Sequence, residues 1–213
     1  MNKINIQLVI FDFDLTLVDT RYTFTKILNE MRANHNIQFN EEEEKDAWGM
    51  SGRENIERML ALNPDAGFTA DELEELKINY SLKHFRELKI SHKKLLIDLS
   101  KKGKKLCIVT GNSPTVVAET LKNEHNQGIN FELILGSTLQ TPKSDQIKEC
   151  MEKLKISREN TLYVGDHIND IIESKKAGVY SCAVCTGFHT KKEFEPYYPD
   201  FILDSVSELQ NII

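Results

Sequence analysis

The sequence predicts an α/β fold: a doubly wound, mainly parallel sheet with a small α-helical domain inserted into it. Three observations carry this. Short apolar runs alternate with helical stretches through the C-terminal half, the pattern of parallel strands joined by crossover helices. Several of the runs are continuously apolar, as strands covered on both faces must be. Between the first run and the second lie about 70 residues without a convincing strand, far more than a normal strand-to-helix connection.

In chain order, the strand candidates are residues 5–11, 104–110 (KKLCIVT), 131–136 (FELILG), 161–166 (TLYVGD), 180–185 (YSCAVC) and 200–204 (DFILD). The helix over 113–123 opens with Ser113 as N-cap and Pro114 in its first turn. The one over 144–156 places Ile147, Met151 and Leu154 on one face, and that over 169–178 ends on Gly178, suited to a left-handed cap. In the insertion, Phe24, Ile27, Leu28 and Met31 form an i, i+3, i+4, i+7 stripe. Ile56, Met59 and Leu60 form a shorter one, and Leu73, Leu76 and Tyr80 a third. The run EEEE at 41–44 reads as a solvated helix start. The expected division is therefore 1–18 and 91–213 for the α/β core, with 19–90 as a helical domain carrying its own small core.

Composition narrows the function classes. With 40% hydrophobic and 28% charged residues the chain is an ordinary globular protein, not a disordered one. Runs such as LVIF at 8–11 are too short to span a bilayer, and the first apolar run meets Asp12 too early for a signal-peptide core, so a cytoplasmic protein without a membrane partner is expected. Residues 19–90 hold 15 acids and 10 bases, a net of −5, while the remainder holds 18 and 17, a net of −1. That is poor material for nucleic-acid binding, which needs a basic footprint. The CxxC spacing of Cys182 and Cys185 falls on a strand candidate, where residues three apart face opposite sides. Packing cysteines are expected there rather than a metal or redox pair.

Ligands of a parallel α/β sheet collect at the carboxyl ends of its strands, and polar residues gather at four of them. The first is Asp12-Phe13-Asp14-Leu15-Thr16. Asp12 and Asp14 project to the same side, about 6–7 Å apart if extended, and two carboxylates in a crevice repel by about 4 kcal/mol at 4 Å and an effective dielectric near 20. A divalent cation would remove that cost. The second is Thr110-Gly111-Asn112-Ser113, where a hydroxyl, a small turn and free helix N–H groups suit an anion. The third is Lys143, a lysine at a helix start, where the dipole disfavours it; it is expected to serve something outside the helix. The fourth is Gly165-Asp166-His167-Ile168-Asn169-Asp170. Together these make a magnesium site facing a phosphate site, with hard oxygen ligands for Mg²⁺ and Thr and Lys for the anion.

The order DxDxT, strand-end Thr, Lys, then GDxxxD resembles the haloacid dehalogenase-like (HAD) superfamily of phosphohydrolases, with a Rossmann-like core. The resemblance spans the chain, including NDIIESKKAGV, similar to that family's fourth-motif helix, and PDFILDSVSELQNII, similar to its last strand and helix. It implies Asp12 as nucleophile, accepting the phosphoryl group, and Asp14 as general acid and then base. It implies Thr110 and Lys143 on the phosphoryl oxygens, and Mg²⁺ held by Asp12, the Asp14 backbone carbonyl and Asp166. Asp170 would support the metal from the second layer or through water. Thr16, Gly111 and Asn112 are further candidates for substrate binding. Because Asp14 is present, phosphatase or phosphomutase chemistry is favoured over C–halogen cleavage. The insertion between the first two motifs resembles the helical-cap type, whose members act mostly on small phosphorylated metabolites; the roughly 30 residues between Thr110 and Lys143 leave no room for the other cap type.

One departure is Leu15, where many members carry Gly; that position is expected to offer a backbone N–H to the phosphate. His167 replaces a frequent Ser or Thr. The segment GMSGRENIERML (49–60) resembles the cap segment of phosphoglycolate phosphatase and β-phosphoglucomutase relatives, which makes Arg53 the candidate for reading a substrate anion or hydroxyl; Trp48 is a candidate for packing on the substrate. The expected protein is a phosphoglycolate phosphatase-like hydrolase of a small phosphate monoester, a monomer or weak homodimer. The alternatives are a sugar phosphomutase, a phospho-accepting regulatory module and a catalytically silent metal-binding protein. In receiver modules, though, the acceptor Asp follows a middle strand and the Lys comes near the end, whereas here two carboxylates follow Lys143.

Overall fold

The computed structural model describes residues 4–38, 52–136 and 141–213. Six strands form one parallel sheet: β1 (Leu8–Phe11), β2 (Lys105–Thr110), β3 (Leu133–Gly136), β4 (Thr161–Gly165), β5 (Tyr180–Val184) and β6 (Phe201–Leu203). Their order across the sheet is β3-β2-β1-β4-β5-β6, and every pairing is parallel. The chain winds outward one way from β1 through β2 and β3, then crosses back to β4 and continues the other way. The switch lies at β1, and the crevice it opens is where such sheets bind ligands.

All four residues of β1 are fully buried, and their alternation builds two cores. Val9 and Phe11 face the larger cluster, which takes in the insertion. Leu8 and Ile10 face a smaller one with Cys107, Val109, Tyr163, Ile147 and Cys150. Burying each such side chain contributes about 1.5–3 kcal/mol. Cys182 and Cys185 belong to different clusters and are free thiols, as a strand spacing of three requires.

Between β1 and β2 the described helices are α1 (Arg21–His35), α2 (Gly52–Leu62), α3 (Ala70–Phe85) and α4 (Lys93–Lys101). The first two expected stripes face inward, with Ile27, Leu28, Met31, Ile56 and Met59 buried, whereas on α3 the buried positions are Leu73, Ser81 and Phe85, with Leu76 and Tyr80 only partly buried. A Thr69–Glu72 capping box starts α3. Beyond β2 come α5 (Pro114–Leu121), α6 (Lys143–Leu154), α7 (Ile168–Ala177) and the single turn α8 (Lys191–Phe194). Glu41–Glu44 and Trp48 lie outside the described residues.

The C-terminal helix expected from the resemblance is instead a 3₁₀ segment, Val206–Asn211. Its hydrogen bonds follow the i to i+3 pattern at both ends, with Glu208 N–H on Ser205 C=O at 3.1 Å and Ile212 N–H on Leu209 C=O at 3.0 Å, the tighter ladder that short helical pieces adopt. Val206, Leu209, Ile212 and Ile213 still join the large core. Among the described residues, no helix is long and apolar enough to cross a membrane.

Candidate active site

The strand ends that sequence singles out converge. Phe11 is in register with Ile108 of β2 and Val164 of β4, so the residues just past β1 lie between Thr110 and Asp166. Asp12 N–H is pinned to Val164 C=O at 2.8 Å. Carboxylate oxygens of Asp12, Asp166 and Asp170 lie within 4.8 Å of one another, all three residues buried. Lys143 reaches in from the start of α6, its Nζ donating to Asp12 Oδ1 at 2.9 Å and to Asp170 Oδ1 at 2.7 Å.

Asp170 is fully buried and its oxygens are largely committed. Oδ2 accepts from His167 N–H at 3.0 Å; Oδ1 takes the Lys143 ammonium and lies 3.2 Å from the Tyr163 hydroxyl. This suits a supporting role better than direct ligation. Thr16, expected at the substrate, donates its hydroxyl to Asp166 Oδ1 at 2.7 Å and is itself buried. It therefore braces the cluster from behind and does not line the cavity. Two glycines make room for these carboxylates: a Cβ at Gly165 would collide with Asp170, and one at Gly187 with Asp166.

The charges explain the titration behaviour. Burial, with Asp170 and Asp14 adding to it against Lys143, pushes Asp12 up to about 7. Burial likewise lifts Asp166 well above the usual carboxylate range, helped by Asp12 and Asp170. Burial also opposes the charge on Lys143, but Asp12 and Asp170 outweigh it and hold the ammonium well above its ordinary value. Three carboxylates around one ammonium leave an excess of buried negative charge. Hard oxygen donors at this spacing fit a small divalent cation, and the donor set supplies no soft ligand.

In front of this cluster is a cavity of about 100 Å³. Its core wall is Asp12, Asp14, Lys143 and the turn Thr110-Gly111-Asn112-Ser113. The turn is held by Asn112 N–H on Thr110 Oγ1 at 3.0 Å and Ser113 N–H on Asn112 Oδ1 at 2.8 Å. Asn112 Nδ2 donates to Asp14 Oδ2 at 3.1 Å. Burial raises the Asp14 pKa, with that hydrogen bond opposing.

The opposite wall comes from the inserted helices: Phe24, Asn55, Ile56, Glu74, Lys77 and Phe85 among others. Arg53 is not part of it. Its guanidinium bonds Asp71 at 3.0 Å and Glu57 at 3.3 Å, with Glu74 at 3.8 Å, so its donors face acidic neighbours on α2 and α3. Among the described residues of the insertion, Lys77 is the cation that lines the cavity. It donates to Asn55 Oδ1 at 3.3 Å and stands over the Phe24 ring at 5.6 Å. Burial draws its pKa down to about 8, with Asp14 and Glu74 opposing. A sequence signal for it existed: Leu73, Lys77, Ser81 and Phe85 recur every four residues along α3, and the other three are buried. A lysine on the inward stripe of a helix is out of place unless something there needs it.

One further expectation is corrected. The Leu15 N–H does not face the cavity but donates to Val18 C=O at 2.7 Å. Leu15 itself is left-handed, φ 59°, which is why glycine is at home in this position. His167 caps α7, its Nδ1 accepting from Asn169 N–H at 3.1 Å, and packs on the His189 ring at 4.7 Å. Burial holds its pKa near 4, so it is neutral at physiological pH.

The fold and the constellation define a class, and comparison with known proteins agrees. Residues 9–184 match the haloacid dehalogenase-like hydrolase family, and the chain belongs to it; the protein is an enzyme of that hydrolase family. Among its relatives, the phosphoglycolate phosphatase of Vibrio cholerae is 27% identical, covering 98% of this chain and 97% of that one. Pyrophosphatase PpaX of Bacillus mycoides is 25% identical over 98% of this chain and 97% of its own. CbbY from Rhodobacter sphaeroides, solved in complex with phosphate, shares the fold with a TM-score of 0.82 at 23% identity, covering 96% of each chain.

Proposed function

We propose that the protein is a cytoplasmic, Mg²⁺-dependent phosphatase that hydrolyses a small phosphate monoester through an aspartyl-phosphate on Asp12. The observation that carries this is the juxtaposition of the buried Asp12–Asp166–Asp170 cluster and Lys143 with a cavity into which Asp14 and the Thr110 turn also open. Asp12, Asp166 and the Asp14 backbone carbonyl are the groups that would hold the cation, with Asp170 and Thr16 bracing them. A bound Mg²⁺ supplies charge neutralisation, offsetting the phosphoryl oxygens and the crowded carboxylates.

The chain's own residues account for the rest. Asp12 attacks phosphorus as the P–O bond to the leaving alcohol breaks. Asp14, whose burial favours the protonated form, delivers its proton to the departing oxygen. The resulting Asp14 carboxylate then takes a proton from water, whose oxygen attacks the phosphorus of the aspartyl-phosphate. Asp12 is released with inorganic phosphate. Thr110, Lys143 and the turn at Gly111 and Asn112 hold the phosphoryl oxygens. The inserted helices exclude bulk water and read the leaving group, with Lys77 as its charged contact.

The test is phosphate release from a panel of small phosphate esters, with Mg²⁺ and with a chelator. Release is expected for at least one metabolite, dependent on the metal and without a bisphosphate activator. Isomerised sugar phosphate in place of free phosphate would select the mutase, and no release from any ester would end the proposal.

A further inference from the structure

Helix α6 begins in an unusual way. Its N-cap is Pro142, which makes no side-chain hydrogen bond to the first turn, and its first residue is Lys143, a cation at the end where a helix dipole favours anions. The N–H groups of a first turn have no partner inside their own helix. Asp145 and Gln146 N–H are taken by Pro142 C=O at 3.0 and 3.3 Å. Ser144 N–H goes elsewhere, to Oε2 of Glu173 on α7 at 3.0 Å. Glu173 is only 5% exposed, and its other oxygen pairs with Lys176 at 2.7 Å.

Glu173 lies three residues after Asp170, so both point from the same face of α7 toward α6. Asp170 holds the Lys143 ammonium at 2.7 Å, while Glu173 holds the backbone of the next residue. One helix thus grips both ends of this lysine. We propose that Glu173 is a positioning residue that, by anchoring the first turn of α6 at Ser144, sets where the Lys143 ammonium stands between Asp12 and Asp170. Without it the Ser144 N–H is buried and unpartnered, a state proteins avoid, and the turn that carries Lys143 must shift to find water. A displacement near 1 Å costs about 10²-fold in a site of this kind. The kinetic consequence rests on the phosphatase reading; the structural one does not.

The test compares E173A, E173Q and K176M, with E173A also made in a K143A background. On p-nitrophenyl phosphate, E173A is expected to lose about tenfold or more in kcat/KM, measured well below its own Tm. E173Q, whose amide oxygen still accepts from Ser144, should stay within about threefold, and K176M near the parent. In the K143A background E173A should add less than about twofold, because it acts through that lysine. An undiminished effect there, or E173Q as impaired as E173A, would overturn the assignment. Crystal structures decide independently of turnover: in E173A the Lys143 Nζ should leave hydrogen-bonding distance of Asp12. Finding it still at about 3 Å from both carboxylates would sink the proposal even if no ester is hydrolysed. Should E173A not fold, E173D keeps the charge, shortens the reach by one methylene and carries the same readouts.

Discussion

The two walls of the cavity are built on different principles. On the core side, Asp12, Asp14 and Thr110 stand at or just past strand ends and Lys143 at the start of the helix that follows β3, so that these residues and their partners come from four separate strand-to-helix junctions. On the insertion side, Phe24, Asn55, Glu74 and Lys77 ride three helices. A parallel sheet delivers every strand end to one edge, so a short motif after each strand suffices to assemble the core wall. Helices deliver residues by angle, and which angle faces the cavity depends on how α1, α2 and α3 pack. On the proposed reading, the core wall serves the reaction and the insertion wall the leaving group.

The largest expected effects test the core half of that contrast. Asp12→Asn should abolish turnover of p-nitrophenyl phosphate, by about 10⁴-fold or more, as nucleophile deletions do, with the fold intact by circular dichroism. Asp14→Asn should lose about 10²–10⁴-fold on alkyl phosphates and less on acyl phosphates, whose leaving group needs no proton. Undiminished Mg²⁺-dependent activity in Asp12→Asn would remove it as nucleophile. Equal losses of Asp14→Asn on both substrate classes would count against its proton-transfer role.

The same contrast governs what was readable in advance. All six strands and the four strand-end motifs stand out in the sequence, because continuous apolar runs such as LVIF and LCIV announce buried strands and the residues after them are placed by topology alone. Arg53 shows where that reasoning stops. The resemblance of its segment to the cap segment of related enzymes made it the candidate for substrate contact, but nothing local reveals that Asp71, on another helix, will face it. Lys77 is the mirror case, a residue that the stripe Leu73, Leu76 and Tyr80 passes over although it recurs at fours with the buried Leu73, Ser81 and Phe85 and lines the cavity. Glu173, and the bracing role of Thr16 in place of the substrate contact expected of it, were hidden for a third reason: each touches a residue distant in the chain, Ser144 or Asp166, and supports the site from outside the cavity.

An intermediate effect should come from Lys77→Met. On an ester with an anionic leaving group, such as phosphoglycolate, kcat/KM should fall by roughly 10-fold, about what one charge-assisted hydrogen bond supplies; on p-nitrophenyl phosphate it should hold within about threefold. Because burial lowers the Lys77 pKa to about 8, the ammonium is present below that pH and lost above it. The parent's rate on the anionic substrate should therefore decline as pH rises through 8, and that limb should vanish in Lys77→Met. The stability sign follows from the same shift. Between pH 8 and about 10.4 the unfolded chain holds the proton that the folded one has released, so this group's contribution improves as pH rises there. Below pH 8 its full cost is present, and Lys77→Met should raise Tm at pH 7. Arg53→Ala should change neither substrate's kcat/KM by more than about twofold. A larger loss for Arg53→Ala than for Lys77→Met would mean that Arg53 turns into the cavity during turnover, and the assignment of the insertion wall would have to be redrawn.

The smallest effect separates backbone from side chain at the core wall itself. Leu15 is 3% exposed and left-handed at φ 59°, a conformation that costs a residue with a Cβ about 1–2 kcal/mol. Leu15→Ala loses the buried side chain and keeps the strain, while Leu15→Gly loses the side chain and relieves it. Both should be less stable than the parent, since losing a buried leucine costs about 2–5 kcal/mol. The order between them should invert the usual one, with glycine more stable than alanine by about 1 kcal/mol, read from urea denaturation. Activity should change little in Leu15→Gly, because the hydrogen bond from its N–H to Val18 needs only the backbone. Alanine as stable as glycine would show that the loop relaxes out of the left-handed region. The turn carrying Asp14 would then be held by side-chain packing, as the insertion wall is, and the distinction between the two walls would weaken at the point where they face each other.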